Sequence, residues 1–340
     1  MAVVKANAYG HGALETSRAL VQQGVTRLAV FSTEEGVELR QGDIAVPIVV
    51  LGPIFREQIG DLLAHRLTPV VSDLSMLAAL ADAARPRSVP YPVHLKVETG
   101  MGRLGLTQEE LETLLGSQTF SPSLQFEGFM SHLADSDGVL PDATEEQLVR
   151  FNRACKVVVD GGHRVPLVHL ANSCGAVRFP STHFSLVRPG IMLYGYHTLP
   201  SAVESPELRP VLSLKTCIAQ LRTIHPGDTV SYNRTFTATR PTRLAVLPIG
   251  YADGLNRRLS NCGMVLIRGH RVPIVGRVCM DMVMVDVTTV PDAVVGDEVV
   301  LIGRQGSEQI TAQDIGEWTG TISYEVLCAI SPKIPRRYHS

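Results

Sequence analysis

Through the first 190 positions, short aliphatic and β-branched runs alternate with amphipathic stretches. The runs are AVVK at 2–5, RLAVFS at 27–32, PIVVLG at 47–52, TPVVS at 68–72, PVHLKVE at 92–98, LQFEGFMSH at 124–132, PLVHLANS at 166–173 and SLVRPG at 185–190. Such continuous apolar runs fit strands covered on both faces. Between them, DLSMLAALADAA, QEELETLLG and ATEEQLVRFNRACKVVVDGG repeat their apolar residues three and four apart, the period of a helix with one buried face. Eight strand-and-helix units in a row predict a parallel (β/α)8 barrel of the TIM-like kind. An open doubly wound sheet is the alternative, because closure of a sheet leaves no mark on the pattern.

The pattern changes after Gly190. YGYHTLPSAVESPELRP is rich in proline and has no helical period; from Val211 the chain turns to strands joined by short turns, among them LSLKTCIAQLRTI, TVSYNRTF, RLAVLPIGYADG, HRVPIVGRVCMDMVMVDVT and DEVVLIG. This predicts a barrel over residues 1–205 and a mainly β domain over 206–340. At 340 residues, two domains are also what chain length leads one to expect.

Charge and composition narrow the function. The net charge is -2 with 45% hydrophobic residues, so there is no basic excess for nucleic acid. No apolar run approaches the roughly 20 residues of a membrane span, and the N-terminus lacks the pattern of a signal peptide, which predicts a cytoplasmic protein. Six cysteines (Cys155, Cys174, Cys217, Cys262, Cys279 and Cys328) are scattered without C-x-x-C pairing or a metal-ligand spacing, and read as reduced thiols with no metal.

Barrel enzymes collect their chemistry at the carboxyl ends of the strands. The polar residues at those ends are Lys5, Lys96 with Arg103 beyond it, His132, His169 with Asn172 and Ser173, and Arg188. Singly, each has an ordinary explanation: a lysine stem lying along a sheet edge, a hydrogen-bonded core histidine, a solvated strand end. Together they point to an anionic ligand. Lys5 also follows an apolar run that hides it from water and precedes a glycine-flanked turn, AYGHG.

These segments carry a resemblance. AVVKANAYGHG, KVETGMGRLG, HLANS, RPGIMLYG, VSYNRTF, PIGYADG, GRVCMDM and ISYEVL, in this order and over the whole chain, resemble the bacterial alanine racemases, which use pyridoxal 5′-phosphate (PLP). The resemblance implies interconversion of L- and D-alanine by two bases, furnishing D-alanine of the kind peptidoglycan contains. It assigns the Schiff-base lysine to Lys5 and the second base to Tyr232, a tyrosine of ordinary pKa about 10 that a cation such as Arg103 would activate. It gives the cofactor Tyr9, His132, His169, Ser173, Arg188, Gly190, Ile191 and Tyr324, with Arg188 meeting the pyridine nitrogen. An arginine there keeps that nitrogen an unprotonated acceptor and makes the ring a weaker electron sink. Substrate carboxylate falls to Arg103 and the Met280 N–H, and the entrance to Tyr251 and Asp281. Lys96 is implied to be carbamylated, which would relieve repulsion with Arg103; pairing with Glu98 is the alternative. In the family the β-domain of one subunit covers the barrel of the other, so a homodimer with shared active sites is expected, Cys279 lying near the shared surface.

Two departures stand out. Family members carry some thirty residues ahead of the lysine strand, whereas Lys5 stands fifth here, so the expectation is a longer protein with an upstream start, the alternative being a short form with an exposed apolar groove and low stability. Asn7 and Glu98 replace frequent aspartates. Competing readings are a racemase of broader small amino-acid range, a single-domain PLP carrier, which would lack VSYN and GYADG, and a related PLP-barrel decarboxylase, whose cysteine-containing substrate segment is not found.

Overall fold

The structure is a computed structural model and describes residues 1–116 and 120–339. The chain divides into two compact units. Met1–Ala8, Ala13–Leu193 and His197–Leu208 form the first; Tyr9–Gly12, Tyr194–Tyr196 and the chain from Arg209 onward form the second.

Among the described residues, the first unit has seven parallel strands in sequence order: β1 (Ala2–Val3), β2 (Leu28–Val30), β3 (Ile48–Val50), β4 (Thr68–Val71), β5 (Tyr91–Lys96), β6 (Leu124–Met130) and β7 (Leu167–His169). Leu28, Ala29, Ile48, Val49 and Val50 are completely buried, as their unbroken apolar runs require. Helices lie between the strands: Ala13–Gln22, Thr33–Gln41, Ile59–Ala64, Leu74–Ala84, Gln108–Gly116 and Asp142–Asp160. Their starts are chemically marked. Ser32 caps the second through a reciprocal bond with Glu35, and Asp73 caps the fourth through the Met76 N–H.

The eighth run, SLVRPG, is not a ladder strand, yet it occupies the slot between β7 and β1. Ser185 N–H donates to Val168 O at 3.1 Å and Arg188 N–H to Ala171 O at 3.0 Å on one side; Val3 N–H donates to Pro189 O at 3.0 Å on the other. Regular pairing fails for local reasons. The Val168 N–H bonds the Ser185 hydroxyl at 2.7 Å rather than a backbone carbonyl, and Pro189 has no N–H to offer. The sheet is thus a curled parallel barrel whose last position is irregular.

The second unit is built from antiparallel strands. β9 (Gln220–Ile224), β12 (Thr242–Leu247) and β15 (Val283–Asp286) make one sheet; β8 (Leu214–Cys217), β13 (Met264–Ile267), β14 (His270–Pro273), β16 (Glu298–Gln305) and β17 (Glu308–Ile310) make another; β10 (Thr229–Val230) and β11 (Phe236–Thr237) pair as a ribbon. Two helices that the strand-rich pattern did not announce, Ala312–Thr319 and Ser323–Cys328, follow. The first is opened by a Thr311–Asp314 capping box and closed by Gly320 in the left-handed region.

Candidate active site

The first unit gathers its candidate side chains at the carboxyl ends of the strands. Lys5 follows β1, Lys96 ends β5, His132 follows β6, His169 ends β7, and Arg188 lies in the irregular eighth position. Lys5 leads into an unusual turn: Ala6, Asn7 and Ala8 all have φ between 52° and 53°, a left-handed coil of non-glycine residues. Each such residue costs about 1–2 kcal/mol, so the turn needs outside support. It has three bonds. The Ala6 N–H donates to the Glu35 carboxylate at 2.6 Å, the Ala8 N–H to Val4 O at 2.9 Å, and the Asn7 side chain accepts the Ala13 N–H at 2.8 Å. Glu35 is itself fixed by the Phe31 N–H at 2.7 Å.

Arg188 is the most enclosed cation of the unit, 3% exposed. Its Nη1 donates to His169 Nδ1 and His169 O, both at 2.9 Å; its Nη2 donates to Ser131 O at 2.8 Å, Leu170 O at 2.9 Å and His132 Nδ1 at 3.1 Å. Every partner is an acceptor, so the guanidinium remains charged at neutral pH although burial pushes its pKa down to about 9. Among the described residues no protein acceptor meets its Nε–H.

The charges here are of one sign. Burial first, then the Arg103 and Arg188 guanidiniums, push the Lys96 ammonium down to about 8, with Lys5 contributing and Glu98 opposing. His132 is held well below the usual histidine range by burial and by Arg188, Lys96, Arg103 and Lys5 in turn. Three cations, Arg103, Arg188 and Lys5, act on a fourth, Lys96, with Glu98 as the opposing carboxylate, and such a group suits an anion. Glu98 is occupied in bonding the N–H groups of Met101 at 2.6 Å and Arg103 at 3.2 Å, which shapes the loop presenting Arg103. Arg103 also lines a cavity of about 420 Å³ with Pro53, Phe55, Asp73 and Met76. Ser173 begins the helix Ser173–Arg178 behind its Asn172 cap, and its hydroxyl accepts the Gly190 N–H at 2.8 Å; Ile191 follows, buried.

The second unit holds the remaining predicted residues in two groups. The Tyr9 and Tyr324 rings lie 6.0 Å apart, with Tyr194 4.9 Å from Tyr9. Burial, then Tyr324 and Cys328, raises the Tyr9 phenol well above its ordinary pKa, so its hydroxyl is a neutral donor. The other group is solvent-facing: Tyr232 is 68% exposed, Met280 53% and Tyr251 43%, and Asp281 is exposed beside them. Backbone bonds assemble it. Tyr251 N–H donates to Cys279 O and Ala252 N–H to Met280 O, both at 3.0 Å, while Ser231, preceding Tyr232, donates to Arg277 O at 2.7 Å. At Gly250 an added Cβ would sit 2.2 Å from Met280 O, so only glycine permits this approach.

Sequence reading missed the far side of His169. His169 Nε2 lies 2.9 Å from His94 Nδ1, His94 Nε2 lies 3.4 Å from Glu127 Oε2, and Arg27 bonds Glu127 Oε1 at 2.8 Å. A signal existed: in VHLKV, His94 stands two before Lys96 and so shares its strand face. Among the described residues no group of histidine, cysteine and carboxylate side chains is arranged to hold a metal, and no helix is long and apolar enough to cross a membrane.

Comparison with known proteins agrees over the full length. The family model for the alanine racemase N-terminal domain matches residues 1–198, and that for the alanine racemase C-terminal domain matches residues 211–338. An alanine racemase of Halothermothrix orenii is 43% identical over 342 residues, covering 99% of this chain and 89% of that protein. The alanine racemase of Clostridium difficile 630 superposes with a TM-score of 0.93 at 35% identity, over 98% of this chain and 87% of the other. That of Bartonella henselae with covalently bound pyridoxal phosphate gives 0.89 at 32% identity, over 99% and 92%.

Proposed function

The chain belongs to the alanine racemase family, and from that premise we propose that it interconverts L- and D-alanine with pyridoxal phosphate held covalently on Lys5. The observation that carries this reading is the cationic cluster of Lys5, Lys96, Arg103 and Arg188, within which the enclosed guanidinium keeps one N–H that no acceptor among the described residues meets. The residues fit the cofactor: an anion is needed to balance the cluster, and a flat ring with an acceptor nitrogen would meet the Arg188 Nε–H. Bound there, pyridoxal phosphate supplies the electron sink that makes an α-proton removable.

The chain's own groups do the rest. Lys5 anchors the cofactor and exchanges a proton at its Nζ on one face of the substrate. The Tyr232 hydroxyl exchanges a proton on the other face, and a two-fold dimer contributes it in trans, in keeping with the exposure of the Tyr232, Tyr251, Met280 and Asp281 surface. Tyr9 and Tyr324 hydroxyls, the Ser173 hydroxyl and the N–H groups of Gly190 and Ile191 hold the phosphate. Arg188, charged at neutral pH, orients the ring through an N–H that stays on the arginine, with His132 and His169 fixing the guanidinium plane. Arg103 and the Met280 N–H take the substrate carboxylate, and Lys96, once carbamylated, clamps Arg103.

The test is racemisation of L-alanine by the pyridoxal phosphate-loaded protein, followed by loss of circular dichroism. Activity abolished by Lys5→Ala supports the reading. Carbon dioxide release from an amino acid without racemisation overturns it in favour of a decarboxylase, and equal turnover of serine and alanine would broaden the substrate class.

A further inference from the structure

The chain Arg188, His169, His94, Glu127, Arg27 crosses the interior of the first unit, and its hydrogen positions follow from its two ends. Arg188 only donates, so its contact with His169 Nδ1 is a bond only in the tautomer whose Nδ1 accepts and whose proton sits on Nε2. That proton points at His94 Nδ1, 2.9 Å away, which must accept. His94 therefore carries its own proton on Nε2, facing the Glu127 carboxylate at 3.4 Å. Arg27 donates to the other carboxylate oxygen at 2.8 Å. Both imidazoles are neutral in this assignment and Glu127 is an anion. Burial lowers both histidines, and the bonds from His94 and Arg27 hold the Glu127 carboxyl below its ordinary range. One arrangement of protons satisfies every link; reversing either imidazole sets two N–H groups against each other.

The strands make room for this arrangement. His94 is completely buried and pairs in register with Gly128, where an added Cβ would lie 2.3 Å from the His94 ring. The β5–β6 ladder shifts register between Val93 and His94, which re-aims the histidine. A buried imidazole admitted by a glycine and a bulge, and satisfied on both nitrogens, is a specified feature of the sheet.

We propose that His94 and Glu127 are positioning residues for Arg188: they fix the tautomer of His169 from behind, so that its Nδ1 always faces the guanidinium as an acceptor and aims the Arg188 Nε–H into the site. The inference rests on the reading that Arg188 meets the cofactor's ring nitrogen, and the experiment separates the two. The variants are His94→Leu, His94→Gln, whose amide offers an acceptor toward His169 and a donor toward Glu127, and Glu127→Leu. Imidazole ¹⁵N resonances of the full-length protein report the tautomers without reference to catalysis. Wild type should show His169 and His94 both protonated on Nε2; His94→Leu and Glu127→Leu should lose the single-tautomer signature of His169, and His94→Gln should keep it. With pyridoxal phosphate loaded, His94→Leu should lower kcat about tenfold at nearly unchanged KM for alanine and alter the visible band of the bound cofactor, with His94→Gln recovering most of both. A His169 tautomer on Nδ1 in wild type, or a folded His94→Leu with wild-type kcat and cofactor spectrum, would overturn the proposal. Correct tautomers in a protein that binds no pyridoxal phosphate would instead overturn the reading of the site.

Discussion

Lys96 offers the sharpest quantitative test of the site's electrostatics. It is 4% exposed, and burial with Arg103 and Arg188 lowers its pKa from 10.5 to about 8. A fall of that size corresponds to about 3 kcal/mol by which the folded protein disfavours the ammonium. The penalty is fully present below pH 8, where folded and unfolded lysine are both protonated. It fades between pH 8 and 10.5, because there the unfolded chain binds the proton that the folded one has lost, so this group's contribution to stability improves as pH rises. Lys96→Met keeps the apolar stem and removes the charge. In buffer free of carbon dioxide it should stabilise the protein at pH 7 by up to about 3 kcal/mol, with the gain vanishing near pH 10.5. Urea midpoints across that range measure it. Added bicarbonate should shrink the gain if a carbamate forms, since wild type then carries an anion beside Arg103. A gain that is absent at pH 7 without carbon dioxide, or that grows with pH, would refute the reasoning.

Other consequences follow from individual contacts. Tyr9→Phe keeps the ring packing and removes one donor; it should weaken pyridoxal phosphate binding about tenfold with little change in melting temperature, as read by equilibrium dialysis and thermal unfolding. Glu35→Ala leaves the Ala6 and Phe31 N–H groups without their acceptor, and should cost roughly 1–3 kcal/mol of stability while slowing cofactor attachment to Lys5. Gly128→Ala forces His94 from its place and should destabilise the protein by about 2 kcal/mol or more in denaturant titration. Lys5→Ala and Tyr232→Ala, each nearly inactive, should recover roughly a quarter of wild-type activity when unfolded together and refolded, because about half the dimers then hold one intact site. Mixtures that exchange subunits but regain nothing would rule out a shared site.

Much of this architecture is legible in the residues. Uniformly apolar runs announced parallel strands because both faces of such strands are covered, and the shift to strands joined by short turns after residue 210 announced a mainly β unit. What escaped had physical reasons. SLVRPG has strand composition, but a serine side chain and a proline take the places of ladder bonds, and no hydropathy pattern encodes that substitution. The closing helices of the second unit are short, and in TAQDIGEWTG the capping box was the available signal rather than the periodicity. At the site, the cationic residues were recognisable because several of them fall together at the strand ends, where any one alone would be ordinary. His94 and Glu127 were not, since each alone reads as an ordinary buried or edge residue and only three-dimensional register joins them to His169. The left-handed coil after Lys5 was equally hidden: the sequence marks a turn there but not its hand, and the support from Glu35 is thirty positions away.

The measurement that bears most directly on the account is identification of the residue that binds the cofactor. The protein loaded with pyridoxal phosphate is reduced with borohydride, digested, and analysed by mass spectrometry for a pyridoxyl-modified peptide. One modification per chain is expected, on Lys5 within MAVVKANAYGHG, competed away by excess alanine phosphonate analogue and absent from Lys5→Ala. Stoichiometric labelling at Lys96 or another lysine, or no labelling of a folded protein, would contradict it.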